Sequence, residues 1–282
     1  AQVLAGPDAS PEQIEAVRQA LNLDDPALTR YATWLGDVVT GDLGDSLRTG
    51  EPVGGAIWSR LPVTLELVVL AQVVALLYAI PAAVYGAYRP AKATDRGTTM
   101  LSFLMISTPS YVLALLLIRV FAVQLGWLPT GGWVRLTEDP IGNLKAVVLP
   151  VLSLAVLPAG IYQRLLRSDM RRTLDEDFIM VAEAKGLRSR YILVRHSLRP
   201  SFFTLITMLG ITSAQMIGGS VVVESIFGLP GIGRLMIDAI SYRDFVMVQG
   251  VVAVIAVGYV VVNTAVDLLY GFVDPRVRIH GS

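Results

Sequence analysis

The sequence predicts an all-α fold, a polytopic bundle of membrane-spanning helices. The first observation is composition: 54% of the residues are hydrophobic, only 16% are charged, and the mean hydropathy is +0.59. An ordinary soluble domain is far more polar than this. The second observation is a series of long stretches without Asp, Glu, Lys or Arg, each within the roughly 17 to 25 residues that a spanning helix needs. They are Leu67–Tyr88, Gly97–Ile118, Ala146–Gln163, Pro200–Val223 and Phe245–Val266.

Residues 1–60 precede the first stretch and have the pattern of short amphipathic helices. Ser10 and Pro11 are typical of a helix start, and Pro26 predicts a second start. The expected packing side of the second helix consists of Leu28, Tyr31, Leu35 and Val38. We interpret residues 1–60 as a small extracytoplasmic cap. A landing surface for a soluble protein that delivers a ligand is the alternative.

Several of the predicted spans contain proline. Pro81 lies in the first, Pro109 in the second, and Pro150 and Pro158 in the third. A proline removes one backbone donor and crowds the preceding helical turn, so each of these positions predicts a kink.

The basic residues predict the orientation of the bundle. Lys and Arg are concentrated in the connector Arg89–Arg96 and in the insert Arg164–Arg199, whereas the connectors Phe121–Asn143 and Phe227–Asp244 hold few. By the positive-inside rule the first two segments are cytoplasmic and the last two are external. Alternation then places residues 1–60 outside and the carboxyl terminus inside. We therefore divide the chain into an external segment, 1–60, and a transmembrane domain, 61–282, with a cytoplasmic insert at 164–200.

An external amino-terminal segment needs a signal that exports it. No apolar signal stretch lies ahead of residue 60. We therefore expect a sixth, amino-terminal span that precedes Ala1.

Composition also argues against several chemistries. The chain has no cysteine, its two histidines, His196 and His280, are far apart, and its formal net charge is zero, which argues against thiol chemistry, a histidine zinc site and nucleic-acid binding. No GxxxxGK[ST] phosphate loop occurs. Glu66, Arg119 and Asp267 lie near span ends, so we interpret them as structural rather than as a proton relay.

Some polar residues within the spans could line a path for a solute. Hydroxyl and amide side chains within the spans could line such a path, or they could equally serve close packing between helices. The candidates for a translocation path are Ser107, Thr108, Gln215 and Asn263.

The insert predicts two short helices joined by a turn. Thr173–Glu176 fits a capping box, Gly186 a carboxyl cap, and Ser189 the start of a second helix that ends near Pro200. The apolar residues Phe178, Ile179, Val181 and Ile192 need something to cover them. A partner protein is one possibility, and an amphipathic anchor on the membrane surface is the alternative.

The insert resembles the coupling-helix region of permease subunits of ATP-binding-cassette (ABC) importers. AlaGluAlaLysGlyLeu at 182–187 is similar to the form used by the dipeptide, oligopeptide and nickel group, and further motifs follow that family's order along nearly the whole chain. They are GlyAspLeuGly at 41–44, ArgLeuPro at 60–62, GlyTrpLeuPro at 126–129, ArgHisSerLeuArg at 195–199, GluSerIlePhe at 224–227, ProGlyIleGlyArg at 230–234 and AspProArg at 274–276.

The resemblance implies a type I ABC importer permease fold with six spans, the first absent from this numbering. It implies a second permease, with which the chain would form a heterodimer, two cytoplasmic ATPase domains and an external solute-binding protein. ATP and Mg would be bound by the ATPases, so this chain would hold no cofactor and would not be catalytic itself. The implied ATPase-docking residues are Phe178, Val181, Ala182, Glu183, Lys185, Gly186 and Leu187.

One departure limits what the resemblance implies for Glu183. The general importer motif begins Glu-Ala-Ala six residues before its glycine, where this chain has Met180, Val181 and Ala182. The glutamate's role is therefore not carried onto Glu183.

We expect a subunit of the cytoplasmic (inner) membrane that translocates dipeptides or oligopeptides. Nickel, glutathione or another small solute is an alternative within the same architecture. A secondary carrier driven by an ion gradient, or a scaffold that moves nothing, is an alternative of another class.

Overall fold

The computed structural model describes residues 10–20, 22–88 and 92–273, and these residues are predominantly helical. Two π-helical segments occur, Ile118–Gln124 after α5 and Ile192–Leu198 before α8, the latter preceded by the helical turn Ser189–Tyr191. The α-helices are α1 (Pro11–Ala20), α2 (Ala27–Thr40), α3 (Val53–Tyr88), α4 (Ala93–Ser107), α5 (Ser110–Leu117), α6 (Pro140–Leu174), α7 (Asp177–Ala184), α8 (Arg199–Phe227), α9 (Ile232–Ser241) and α10 (Phe245–Val273).

Among the described residues, four single helices are long and apolar enough to cross a membrane: α3, α6, the continuous helix Ser189–Phe227 and α10. They cover four of the five predicted spans. We call the end of the bundle where α3 and α10 begin the outer end, following the predicted orientation, and the opposite end the inner end.

The remaining predicted span, Gly97–Ile118, with its kink expected at Pro109, corresponds to two helical segments, Ala93–Ser107 and Ser110–Gln124, which are apolar enough to cross a membrane when taken together. The chain bends by 100° between α4 and α5. Thr108 is extended (φ −90°, ψ 115°), as the residue before a proline prefers, and Pro109 follows it with φ −61° and ψ 136°. The Thr108 hydroxyl donates to the Leu104 carbonyl at 2.7 Å, which supplies a donor at the break. By contrast, Pro81, Pro150 and Pro158 lie within helices that continue through them.

The main core lies where α3, α6 and α8 meet. Ala71, Ala75, Ala79 and Ala83 are fully buried at intervals of four residues, so one face of α3 consists of small side chains. Small residues let helix backbones approach closely in a membrane, where packing rather than water exclusion drives association. The large side chains that fill the core from the neighbouring helices include Tyr162, Leu166, Leu205 and Val223.

A second core lies at the outer end. Val53, Ala56 and Ile57 of α3 pack with side chains of α9 and of the start of α10, including Ile232 and Val251. The outer segments are therefore packed against the spans. Helix α2 is different: it has no buried residue, and Leu28, Tyr31 and Leu35 of its predicted packing side are exposed. The predicted packing is therefore wrong for these three residues within the described chain, whereas Val38 is half-buried. The loop after α2 contacts the outer core through Leu43.

The insert confirms some of the predicted helix ends and corrects others. Thr173 is not a cap: α6 continues to Leu174, and the Thr173 hydroxyl donates to the Asp169 carbonyl within that helix. Gly186 ends α7 as predicted, with φ +76° and a 3.2 Å hydrogen bond from Leu187 N to the Ala182 carbonyl. The next helix begins at Ser189 but does not end near Pro200, because the π-helical segment carries it into α8.

Candidate functional site

The insert forms a hairpin with a small core of its own. Ile179 and Ala182 of α7 pack with Ile192 of the returning segment, and Leu174 at the end of α6 completes the cluster. His196 lies beside two aromatic rings, 6.5 Å from Phe178 and 5.4 Å from Tyr191 between ring centroids. These contacts hold α7 against the helix that leads into α8.

The outward side of α7 carries apolar side chains. Phe178 is 48% exposed and Val181 53%, and Met180 and Leu187 are also exposed. Glu183, Lys185 and Gly186 lie on exposed positions of the same hairpin. Ala182 is the exception among the docking candidates, because its side chain is buried in the core of the hairpin. A surface formed by the other six candidates and Met180 is therefore available, and Ala182 supports it from inside.

An ion pair joins the insert to a neighbouring span. Arg167 donates from Nε and Nη2 to the two carboxylate oxygens of Asp95, at 2.5 and 2.7 Å. The Asp95 side chain is only 5% exposed, and paired donors of this kind match a carboxylate in both geometry and charge. The pair connects the first turn of α4 to α6 at the inner end. Sequence reasoning counted Arg167 only as a positive charge and missed its partner, which lies 72 residues earlier.

Two further contacts join α6, where it enters the insert, to the helix that leaves the insert. Thr204 of α8 donates to the Asp169 carboxylate of α6 at 2.8 Å. Ser197, which is fully buried, donates to the Met170 carbonyl at 3.0 Å. A displacement of the hairpin must therefore move α6 and α8 or break buried hydrogen bonds.

The four candidates for the translocation path lie on different elements. Ser107 and Gln215 are exposed, whereas Thr108 and Asn263 are half-buried. Within the part of the chain that the structure describes, no hydrogen bond joins two of them. Thr108 contributes to the break between α4 and α5 instead.

The structure brings together a different polar cluster inside the bundle. Gln72 of α3 donates to Ser213 at 2.8 Å and to Thr212 at 3.2 Å, and Tyr162 of α6 donates to the Gln72 carbonyl oxygen at 2.6 Å. Tyr162 and Thr212 also share a hydrogen bond between their hydroxyl groups. This cluster joins three spans. Its members lie on three separate charge-free stretches, so no local pattern pointed to them.

A buried carboxylate organises the outer end. Glu224 at the end of α8 is fully buried and accepts hydrogen bonds from Thr64 at 2.7 Å, Ser220 at 3.0 Å and Arg234 N at 3.0 Å. The Arg234 amide belongs to the first turn of α9, where exposed backbone donors favour a negative charge. Gly231 lies against this carboxylate, and a Cβ there would be 2.3 Å from the carboxyl carbon.

These contacts explain why two short motifs occur together. Glu224 comes from GluSerIlePhe, and Gly231 and Arg234 come from ProGlyIleGlyArg. The sequence alone presented them as neighbouring but separate patterns. In the folded chain the Glu224 carboxylate fills the space beside Gly231 and accepts a hydrogen bond from the backbone amide of Arg234.

The chain matches the family model described as "binding-protein-dependent transport system inner membrane component" over residues 79–279. It is 39% identical over 276 residues to a Brucella abortus protein named for the permease of a peptide transport system, with 98% of this chain and 88% of the relative covered. It is 38% identical over 279 residues to the oligopeptide transport system permease protein of Bacillus subtilis, with the same two coverages.

A solved structure of similar fold is a chain of the inward-facing MetNI methionine ABC transporter. The TM-score is 0.65 at 17% sequence identity, and the match covers 79% of this chain and 99% of that chain. At this identity the likeness concerns the fold, which is that of type I ABC importer permeases and confirms the predicted fold class. The chain therefore belongs to the family of binding-protein-dependent transport system inner membrane components, the multi-pass permease subunits of ABC importers.

Proposed function

We propose that this permease imports dipeptides or oligopeptides across the inner membrane with energy from ATP. The observation that carries the proposal is the similarity, over 98% of the chain, to permeases that are named for peptide transport. Permeases of this family work with ATPase partners and a second permease. The proposal assigns this chain to one half of a heterodimeric path, with an external solute-binding protein that delivers the peptide to the outer end. Residues 1–60 are then external and the carboxyl terminus is cytoplasmic.

The hairpin at 164–200 is the proposed contact with an ATPase subunit. Its exposed apolar side chains, above all Phe178 and Val181, would be buried in a cleft of that partner. Glu183, Lys185, Gly186 and Leu187 would flank them, and Ala182 would keep the hairpin packed. ATP and Mg would bind to the ATPases, since this chain has no phosphate loop.

The buried contacts at the inner end support a transmission role for the hairpin. Arg167 is paired with Asp95, and Asp169 with Thr204. A displacement of α7 would therefore be transmitted to α4, α6 and α8 together. Closure of the ATPase dimer would then rock the spans and exchange inward access for outward access. Ser107, Thr108, Gln215 and Asn263 remain the proposed contributors to the path between the two permeases.

The decisive experiment is purification of the chain from its native membrane, followed by transport in vesicles. We expect two ATPase domains, a second permease and a solute-binding protein to accompany it. The reconstituted assembly should take up labelled di- and oligopeptides only when ATP and the binding protein are both present. Recovery of the chain alone in mild detergent would contradict the assignment.

The same vesicles separate the alternatives. Uptake that continues without ATP and collapses with the ion gradient would indicate a secondary carrier. ATP-dependent uptake of nickel or glutathione, with no uptake of peptides, would keep the architecture and change the solute. A complete assembly that moves nothing would indicate a scaffold.

A further inference from the structure

Helix α2 presents an apolar face that the described part of the chain leaves uncovered. Leu28, Tyr31, Leu35 and Val39 are 84%, 58%, 42% and 80% exposed. Their spacing of three, four and four residues places them on one side of the helix. We call these four residues the α2 stripe.

The remaining sides of α2 differ in character. Thr33 and Asp37 lie opposite the α2 stripe and are exposed, and Arg30 lies on that same side and is half-buried. Trp34 and Val38 lie between the two faces and are half-buried. The helix is therefore amphipathic, and its apolar side is exposed among the residues that the structure describes. Four exposed apolar side chains on one side of a helix are unfavourable in water, so we expect this face to be covered.

The chain that follows α2 shows at which level the helix lies. Leu43, two residues after the left-handed Gly41 that ends α2, packs in the outer core with Val53 of α3 and Met247 and Val251 of α10. The Ser46 hydroxyl donates to the Asp244 carboxylate at 2.5 Å. Asp244 directly precedes the charge-free stretch of α10. The end of α2 is thus held beside the point at which a membrane span begins.

Exposed aromatic residues occur at the same level. Trp58, on the second turn of α3, is 75% exposed, and Tyr242 lies just before α10 and is also exposed. Within α2 itself Tyr31 and Trp34 form a tilted ring pair with centroids 6.0 Å apart. Trp and Tyr are enriched at the boundary between hydrocarbon and water, because their rings are apolar and one atom is polar.

We propose that α2 lies in the plane of the membrane, on the leaflet where α3 and α10 begin, with the α2 stripe inserted among the phospholipids. The charge distribution predicts this leaflet to be the external one. The occupant is lipid rather than protein for two reasons: the stripe carries no charge, with the Tyr31 hydroxyl its one polar side-chain group, and the helix follows directly from a loop held at the membrane boundary. In-plane amphipathic helices bury their apolar side about 5–10 Å into the boundary of headgroups and acyl chains. The inference does not depend on which solute is moved.

The natural absence of cysteine makes a site-directed test direct. Single variants Tyr31→Cys, Leu35→Cys and Val39→Cys report on the α2 stripe, and Thr33→Cys and Asp37→Cys are matched controls on the opposite side. Each full chain is assembled with cysteine-free partner subunits, spin-labelled, and reconstituted in vesicles of phosphatidylethanolamine and phosphatidylglycerol. Collisions of each label with oxygen, which concentrates in lipid, and with a water-soluble nickel chelate are then measured.

The proposal predicts that labels on the α2 stripe collide with oxygen and lose their collisions with the nickel chelate, while the two control labels show the reverse. Stripe labels that collide freely with the chelate would place α2 in water and contradict the proposal. Stripe labels excluded from both reagents would show a protein cover and contradict it equally. ATP-dependent uptake is measured on the same samples, so a failure of the transport assignment is seen separately from the position of α2.

Discussion

Arg167 and Asp95 form a two-pronged ion pair across 72 residues of sequence, with N–O distances of 2.5 and 2.7 Å, at the base of the insert 164–200. The pair lies against Gly86 of α3, where a Cβ would be 3.0 Å from an Asp95 oxygen. Three helices therefore meet at one buried charge pair. The insert is connected to the spans there as well as by its own chain.

Arg167→Leu should destabilise the protein, because it removes the positive charge and both hydrogen bonds that Arg167 supplies to the buried Asp95 carboxylate. Loss of one member of a buried pair costs on the order of 3 kcal/mol. The measurement is the thermal unfolding of the purified assembly in detergent. The double variant Arg167→Leu with Asp95→Asn should recover part of the loss, since the buried side chain then carries no negative charge.

The matched control for this pair is Arg135→Gln. Arg135 and Glu138 are both more than half exposed and 3.7 Å apart, and such surface pairs contribute about 0–1 kcal/mol. A loss of stability in the control equal to that of Arg167→Leu would contradict the special role of the buried pair.

Gly231→Ala should disrupt the outer end. The added methyl group would lie 2.3 Å from the carboxyl carbon of Glu224, so the carboxylate must leave the hydrogen bonds it accepts from Thr64 and Arg234 N. We expect a loss of about 1–3 kcal/mol, the range for leaving buried polar groups unsatisfied. Limited proteolysis of the segment around α9 measures the loosening. Gly218→Ala is the control, because nothing lies within 4 Å of its added Cβ.

Tyr162→Phe should weaken the packing of α3, α6 and α8 while it leaves the ring in place. The hydroxyl joins Gln72 and Thr212 in the polar cluster, and hydrogen bonds between spans contribute on average ~0.6 kcal/mol and up to ~1.7 kcal/mol. A lowered unfolding temperature is expected. Tyr259→Phe, at an exposed position of α10, should leave the temperature unchanged, and an equal drop in both variants would argue against the cluster.

Gly186→Val should uncouple ATP hydrolysis from transport. A β-branched residue is strained at φ +76°, so the turn after α7 would shift and the docking surface with it. Gly186→Asn is the control for bulk, because asparagine tolerates the left-handed region. The measured quantity is the ratio of peptide taken up to ATP hydrolysed. Equal ratios in the valine variant and the wild type would contradict the role of this turn.

Much of the fold was predictable because a segment that lies in lipid must contain few charged residues, whereas a segment that lies in water can contain many. Four charge-free stretches became spanning helices, and Gly186 ended a helix where its conformational freedom indicated. The break at Pro109 was predicted only as a kink. Its angle depends on how α4 and α5 pack against α6, which no local pattern contains.

The candidate site was predictable in position and less so in detail. Exposed apolar residues on a charged insert pointed to a docking surface, but the inward position of Ala182 depends on which side of α7 meets Ile192. The buried pairs of Asp95, Gln72 and Glu224 join residues between 72 and 160 positions apart. Such pairs can be identified only from the packing of the helices in the folded structure.

We propose that the exposed apolar side of α7 binds an ATPase subunit. Val181→Glu adds a charge to this surface at a side chain that is 53% exposed, and Leu136→Glu adds the same charge to an exposed position of the connector 125–139. Co-purification of the ATPase subunits with each membrane-inserted variant is the most direct measurement. We predict that Val181→Glu loses the ATPase subunits and ATP-dependent uptake, while Leu136→Glu keeps both. Wild-type recovery of the ATPases with Val181→Glu would contradict it.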